Sequence, residues 1–387
     1  LCSCGCAAGL LYLKTENCRM DSMYNMGHKI YVCCYCEAWG SGGIESFCIS
    51  LIRQLDRSLY KVDIMAARKL SGFYDRQLEE LGIRLILLSG STKKCGDNYR
   101  RLSYLFQCRH YDVVHINAYH AVTLLYAQCA KKSGIKTVAV HSHSAGIKKG
   151  RGQLLKSLAH LLARYFFADS PTVRIACSEA SKRFLYLRGQ KVQIIPNGID
   201  VERFRYSQLQ RDRIRRRLGI ERAFVTGMTG RLCTEKNQAF GIEVFAELKK
   251  ERGNAVLLIV GEGETEHTLR GLVRNKGLTG SVIFYGASRH VSQLMQGMDV
   301  LLMPSETEGF GMTAIEAQAC GLPVVCSDRV PKEAVADERL VIRISLKKSR
   351  QEWVKALAGA VRQKTCGLRN TDYDISTTAD AIKSIWG

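Results

Sequence analysis

No run of apolar residues in this 387-residue chain is long enough to span a lipid bilayer. No G-x-G-x-x-G is present either. The glycines at 40–43 and 261–263 lack a third at the required spacing, which argues against a dinucleotide fingerprint. The C-x-x-C at Cys33–Cys36 has no second copy and no matching histidine pair, so half of a zinc site is missing. Internal repeats and low-complexity tracts are absent. Acidic residues are few, 36 Asp and Glu against 57 Lys and Arg, leaving a net charge of +21. The imbalance is concentrated in residues 1–191, which hold 28 basic and 13 acidic residues. A basic half calls for an anionic partner: nucleic acid, an anionic membrane or a phosphorylated ligand. The basic residues carry no stacking or groove-reading motif, so nucleic acid is set aside.

What remains is the composition of a globular protein, 46% hydrophobic and 24% charged, at a length that suits two domains. The 16 cysteines are scattered. Cys33, Cys34 and Cys36 lie in "KIYVCCYC", a strand pattern in which cysteine behaves as a small apolar residue. Reduced thiols and a cytoplasmic location are expected. Residues 1–27 read as an extension outside the fold, and regular structure is expected from His28 onward.

From there apolar runs alternate with helix-like segments. "KIYVCCY", "VDIMAA", "RLILLS", "DVVHIN", "KTVAVHS", "RIACS" and "VQIIPN" make one series, within residues 28–200. "AFVTGMTG", "AVLLIVGEG", "SVIFYG", "DVLLMPS" and "LPVVCS" make another, within residues 201–370. Between the two lies "RFRYSQLQRDRIRRRLG" (203–219), read as a helix with a solvated basic face after a linker. The closing "TTADAIKSIWG" is an amphipathic helix within 371–387, expected to cross back to the first domain. Unbroken apolar strands alternating with helices mean parallel sheets covered on both faces. The fold class is α/β, with two doubly wound units. Such sheets bind ligands at the carboxyl ends of their strands, here in the cleft between the units.

The strand ends therefore hold the candidate site residues. In "WGSGGIE" (39–45), Gly42 and Gly43 let the backbone approach a ligand just where a helix begins, an anion or acceptor site. "HSHSAG" (141–146) brings His141 and His143 to a strand end. In "TGRLCTEKN", Gly230 and Arg231 follow a strand and Lys236 comes soon after; a guanidinium and an ammonium there suit a diphosphate. In "PSETEGFGMTAIEAQACGLPVV", Glu308 precedes the turn Gly309-Phe310-Gly311, and a helix follows with Glu316 one turn inside. The free N–H groups of that helix favour a phosphate. Carboxylates repel a diphosphate, so the two glutamates are read as partners of neutral hydroxyls on a ribose or a sugar.

This last stretch resembles the E-x7-E signature of the retaining glycosyltransferases of family 4, the group 1 family, whose two Rossmann-like domains face each other in the GT-B fold. "TGRLCTEKN", "IIPNGIDVERF" and "GSGGIE" are similar to its other motifs, and the resemblance runs from about His28 to the C-terminus. Several stretches look like bacterial capsule and exopolysaccharide transferases. The resemblance implies a hexosyltransferase using a nucleoside-diphosphate sugar, UDP-linked by preference, with no metal and no cofactor. The acceptor it implies is a saccharide or lipid-linked saccharide. Arg231 and Lys236 would hold the diphosphate, Glu316 the ribose and Glu308 the donor sugar. Gly309, Phe310 and Gly311 would pack on sugar and phosphate. His143, with His141 as the alternative, would stand beside the transferred sugar. Gly42 and Gly43 would line the phosphate and acceptor side, and Gly230 the donor. The sequence departs from relatives at the N-terminal extension and at His290, where Asp is common. A nucleotide-sugar epimerase and a non-catalytic, membrane-docked partner of another transferase are the competing readings. Residues 148–167 carry an apolar helical stripe at 154, 155, 158, 161, 162, 165 and 166, flanked by Lys148, Lys149, Arg151 and Lys156. It suits either peripheral contact with an anionic membrane or cover for the N-terminal sheet.

Overall fold

The computed structural model describes residues 29–88, 95–147, 152–363, 368 and 371–387. The N-terminal extension and Lys148, Lys149 and Arg151 lie outside the described residues. The first apolar series forms β1 (Ile30–Trp39), β2 (Tyr60–Lys69), β3 (Arg84–Leu87), β4 (Val113–Ala118), β5 (Thr137–Ser142), β6 (Val173–Ala176) and β7 (Gln193–Ile194). They pair in the order β3-β2-β1-β4-β5-β6-β7, all parallel. The second series forms β8 (Phe224–Thr229), β9 (Ala255–Val260), β10 (Val282–Gly286), β11 (Val300–Met303), β12 (Val324–Ser327) and β13 (Val341–Ile344). Their order is β10-β9-β8-β11-β12-β13, again parallel. Cys33, Cys34 and Cys36 are buried within β1, as their apolar strand pattern requires.

Helices cover both faces of each sheet because the strands are apolar on both sides; every residue of β4 is buried. In each sheet the strand order reverses once, beside β1 and β4 in one and beside β8 and β11 in the other. Neighbouring strands leave in opposite directions there, and a crevice opens at their carboxyl ends. The loops that carry the glycine and cation motifs start at those two places.

The last helix, Ile375–Trp386, leaves the second sheet and packs on the first. Ile375, Ala379, Ile382 and Trp386 join the core built by β1, β2 and the helix Gly43–Arg53. The Trp386 indole donates to His115 Nδ1 at 3.3 Å.

Two helices differ from their sequence pattern or sharpen it. The helix Gln208–Leu218, capped by Ser207 and ended by Gly219, is basic but not solvated all round. Arg211 and Arg215 turn inward onto Asp299 and onto the backbone carbonyls of Gln296, Gly297 and Met298. Those carbonyls close the neighbouring helix Val291–Gly297 and need donors. The helix Gln153–Phe166 buries only His160 and Ala163. Its apolar stripe faces outward, with Leu154 at 89% and Tyr165 at 72% exposure, so it does not cover the sheet. Among the described residues no helix is long and apolar enough to cross a membrane.

Candidate active site

The loops after β8 and β11 are tied together. Glu306 N–H donates to the Glu235 carbonyl at 2.8 Å, and Asn237 Nδ2 to the Pro304 carbonyl at 3.1 Å. Asn237 holds a left-handed backbone (φ 53°), a conformation asparagine tolerates, and so turns Lys236 back toward β11. Lys236 Nζ then donates to Glu308 Oε1 at 2.6 Å, and Ser305 Oγ donates to the same oxygen at 2.8 Å. Burial works against the Lys236 charge, but Glu308 outweighs it and holds the ammonium above the usual lysine range. Arg231, at the end of β8 after Gly230, has no carboxylate within ion-pair distance among the described residues. Its carbonyl is fixed by Gln238 Nε2 at 2.8 Å. The pair Lys236–Glu308 is thus internally neutral, and Arg231, whose charge also reaches the buried Glu45, has no ion-pair partner among the described residues.

Below this lies the helix Met312–Ala319, entered through Gly311 at φ 92°. A side chain at that φ would be strained, so the turn requires glycine. Phe310 is buried beneath the turn, and Ile315 and Ala319 anchor the helix in the core. Glu316 is half-buried. Burial pushes its carboxyl up to about 7, while Arg203 and Lys236 pull the other way.

The first unit supplies the opposite wall. Gly40 N–H donates to Glu45 Oε1 at 3.0 Å, and Glu45 is buried. The Gly42–Gly43 loop therefore has its own carboxylate, which takes part of its donor capacity. Burial raises the Glu45 carboxyl, opposed by these backbone donors and by the charge of Arg231. His143 is buried with both ring nitrogens engaged, Nε2 by Asn117 Oδ1 at 2.9 Å and Nδ1 by Asn197 Nδ2 at 3.1 Å. Burial, with His115 nearby, pushes it down to about 3, so the imidazole is neutral. His141 lies deeper, fully buried and 4.0 Å from the His143 ring centroid to centroid.

The two units touch at the glycine turn. A Cβ on Gly309 would lie 1.8 Å from the His143 carbonyl oxygen, so only glycine fits. The Gly309 carbonyl accepts from Ser178 Oγ at 2.5 Å and Ser181 Oγ at 3.0 Å. Glu179 N–H donates to Glu333 Oε1 at 2.7 Å. A second bridge sets the Arg289 guanidinium over the Phe73 ring, 5.4 Å from its centroid. Ser178, Ser181, Asn117 and Asn197 escape sequence reasoning because each is a common residue whose partner is more than twenty positions away. Among the described residues no cluster of three His, Cys, Asp or Glu side chains is arranged for a metal.

This geometry agrees with the comparisons. Residues 41–203 match the model of Glycosyltransferase Family 4, and residues 210–364 that of the group 1 glycosyl transferases. The chain belongs to the group 1, family 4 glycosyltransferases. EpsF of Bacillus subtilis, named as a glycosyltransferase, is 28% identical over 89% of this chain and 93% of its own length. An Escherichia coli UDP-Gal:alpha-D-GlcNAc-diphosphoundecaprenol alpha-1,3-galactosyltransferase is 27% identical over 56% of this chain and 58% of its own. The Anabaena HepE structure in complex with UDP-glucose superposes with a TM-score of 0.76 at 20% identity, covering 92% of this chain and 98% of that one. The fold is GT-B. As a group 1 glycosyltransferase the chain moves sugar from a nucleotide sugar, and its two strand-order reversals form the facing walls of the cleft.

Proposed function

We propose that this glycosyltransferase transfers a hexosyl unit from a UDP-linked sugar to a saccharide or lipid-linked saccharide, with retention of anomeric configuration and without a metal ion, in capsule or exopolysaccharide assembly. The observation that carries this reading is Arg231, which has no carboxylate within ion-pair distance among the described residues, on the same loop as Lys236, whose ammonium pairs with Glu308 just ahead of the helix Met312–Ala319. A diphosphate bound there meets Arg231, Lys236 and the free N–H groups of the helix terminus. Glu316 accepts from the ribose hydroxyls, and Glu308 from the donor sugar. Gly309, Phe310 and Gly311 form the floor, with Gly230 at its edge.

During transfer the bond from the anomeric carbon to the phosphate oxygen breaks. The acceptor oxygen bonds that carbon from the same face, and its proton passes to the leaving phosphate oxygen. Arg231 and Lys236 stabilise the charge that develops there, the kind of preorganised electrostatics that dominates many active sites. His143 stands beside the sugar, and its ring reaches a hydroxyl by exchanging Asn117 or Asn197. Gly42 and Gly43, whose loop already holds Glu45, present backbone to an uncharged acceptor hydroxyl. The UDP preference is supported by the ligand of HepE and the donor in the name of the E. coli relative. The exopolysaccharide role is supported by the likeness to EpsF.

The test is turnover of UDP-sugars by purified protein, with the product anomer assigned by NMR and a chelator arm. Wild type is expected to give a retained product that chelator does not abolish. Unchanged transfer and donor hydrolysis in both Arg231→Ala and Glu308→Gln would sink the site assignment.

A further inference from the structure

We infer that Asn197 is a positioning residue for His143: together with Asn117 it holds the imidazole as the Nε2–H tautomer, so that the ring meets a sugar hydroxyl as a donor. The tautomer follows from the partners. The Tyr35 carbonyl can only accept, and Asn117 Nδ2 donates to it at 3.2 Å. Asn117 therefore turns Oδ1 toward His143 Nε2, 2.9 Å away, and that nitrogen must carry a proton. The ring is buried and neutral, so it has one N–H and its Nδ1 is bare. Asn197 Nδ2 donates to Nδ1 at 3.1 Å. The reversed amide would set Oδ1 against the Nδ1 lone pair. The ring also packs on His141 at 4.0 Å and on Phe47 at 5.6 Å, centroid to centroid.

Asn197 is itself held firmly. It lies three residues past β7, where the chain leaves the first sheet for the second. Its neighbour Gly198 has no room for a Cβ, which would lie 2.4 Å from Thr378 Oγ1 and 2.7 Å from the Ile375 Cα. Thr378 Oγ1 donates to the Pro196 carbonyl at 3.2 Å. Ile199 N–H donates to the Tyr373 carbonyl and the Ile199 carbonyl accepts from Ile375 N–H, both at 2.9 Å. The outgoing and returning segments of the chain are thus fastened together on both sides of Asn197. From the second unit, Gly309 closes on the His143 carbonyl. A hydroxyl inserted between His143 and Asn117 would accept from Nε2–H and donate to Asn117 Oδ1, leaving neither group unpaired. Asn197 stays in place meanwhile and keeps the proton on Nε2. This use of the ring rests on the reading that His143 stands beside the transferred sugar; the tautomer does not.

Nitrogen NMR of the full chain, labelled in its histidine rings, tests the tautomer, with the His143 signals identified by their loss in His143→Gln. Wild type is expected to show one protonated nitrogen at neutral pH, Nε2. In Asn197→Asp a carboxylate faces Nδ1, and both nitrogens should be protonated. Asn197→Ala should lower kcat for UDP-sugar hydrolysis by about 10- to 100-fold, because the ring is misplaced, with donor KM nearly unchanged. An Nδ1–H or mixed tautomer in wild type would overturn the inference. So would a wild-type kcat in Asn197→Ala when His143→Gln is impaired. Full activity in His143→Gln would count instead against the place given to His143 in the reaction, and the spectrum would still decide the tautomer.

Discussion

Lys236 Nζ lies 2.6 Å from Glu308 Oε1, an ion pair that joins the loops of two neighbouring strands, β8 and β11. Glu308 is 8% exposed, so losing its cation leaves a buried charge without compensation. Lys236→Ala is expected to lower kcat/KM by about 10²- to 10³-fold, the range for removing one preorganised donor. Glu308→Gln should also lower it, and the double variant should lose less than the two combined, because residues in contact are not additive. A double-mutant cycle in steady-state kinetics checks this; strict additivity would show that the pair does not act as a unit.

Gly309→Ala tests the contact between the two units. The added methyl would overlap the His143 carbonyl, backbone against backbone, with no flexible side chain to yield. The clash must part the cleft by a fraction of an ångström to an ångström, which for positioned reactants costs about 10²-fold in rate. The far-UV circular dichroism should stay that of wild type, because Gly309 supports no helix or strand. Ser178→Ala, which removes a hydroxyl donor to the Gly309 carbonyl, should have a smaller effect in the same direction.

Much of this fold is legible in local sequence because its strands are buried on both faces. "VVHINA" and "AVLLIV" stand out as apolar runs for that reason. β13, "VIRI", does not: it is an edge strand whose Arg343 reaches the carbonyls of Asp328 and Val330. The positions of Arg231, Lys236 and Glu308 in loops after strands, and of Glu316 on the helix that follows, are readable because apolar runs and a glycine turn mark them; the roles proposed for them are not read from position. The grip of Asn117 and Asn197 on His143 is not readable, since three separate strand ends make it. Nor is the direction of the helix Gln153–Phe166. Periodicity shows that an apolar stripe exists, and the same stripe would serve a buried face or a lipid-facing one. The inward turn of Arg211 and Arg215 is hidden likewise, because its cause is the carbonyl end of another helix.

Glu316 makes stability depend on pH. Its carboxyl is raised from 4.5 to about 7 by burial, so the folded protein binds a proton there that the unfolded chain has released. Stability from this group is full below the unfolded value, declines as pH rises toward about 7, and stays flat above it. Glu316→Gln removes the dependence. Without nucleotide, the variant should melt close to wild type at pH 4.5 and above it at pH 8. A difference in melting temperature that does not grow between those pH values would show that the carboxyl is not raised. With UDP-sugar the order should reverse if Glu316 has its proposed role, because the variant lacks the carboxylate proposed to accept from the ribose.

Trp386 ties the helix Ile375–Trp386 into the core of the first unit. Its ring is 3% exposed, lies 6.0 Å from Tyr60 between centroids, and donates to His115 Nδ1. Trp386→Ala removes this apolar volume and leaves the His115 nitrogen without its donor in a site where burial already pushes His115 down to about 4. A cost of about 3–5 kcal/mol is expected, as for other buried aromatic truncations. Urea unfolding followed by two probes locates it: the buried Trp39 of the first unit should respond at lower denaturant, and the buried Trp353 of the second should respond less. Since those two and Trp386 are the three tryptophans of the chain, the Trp386→Ala background leaves one reporter per unit. Coincident transitions, both shifted equally, would mean that the units unfold as one and that the last helix stabilises the whole.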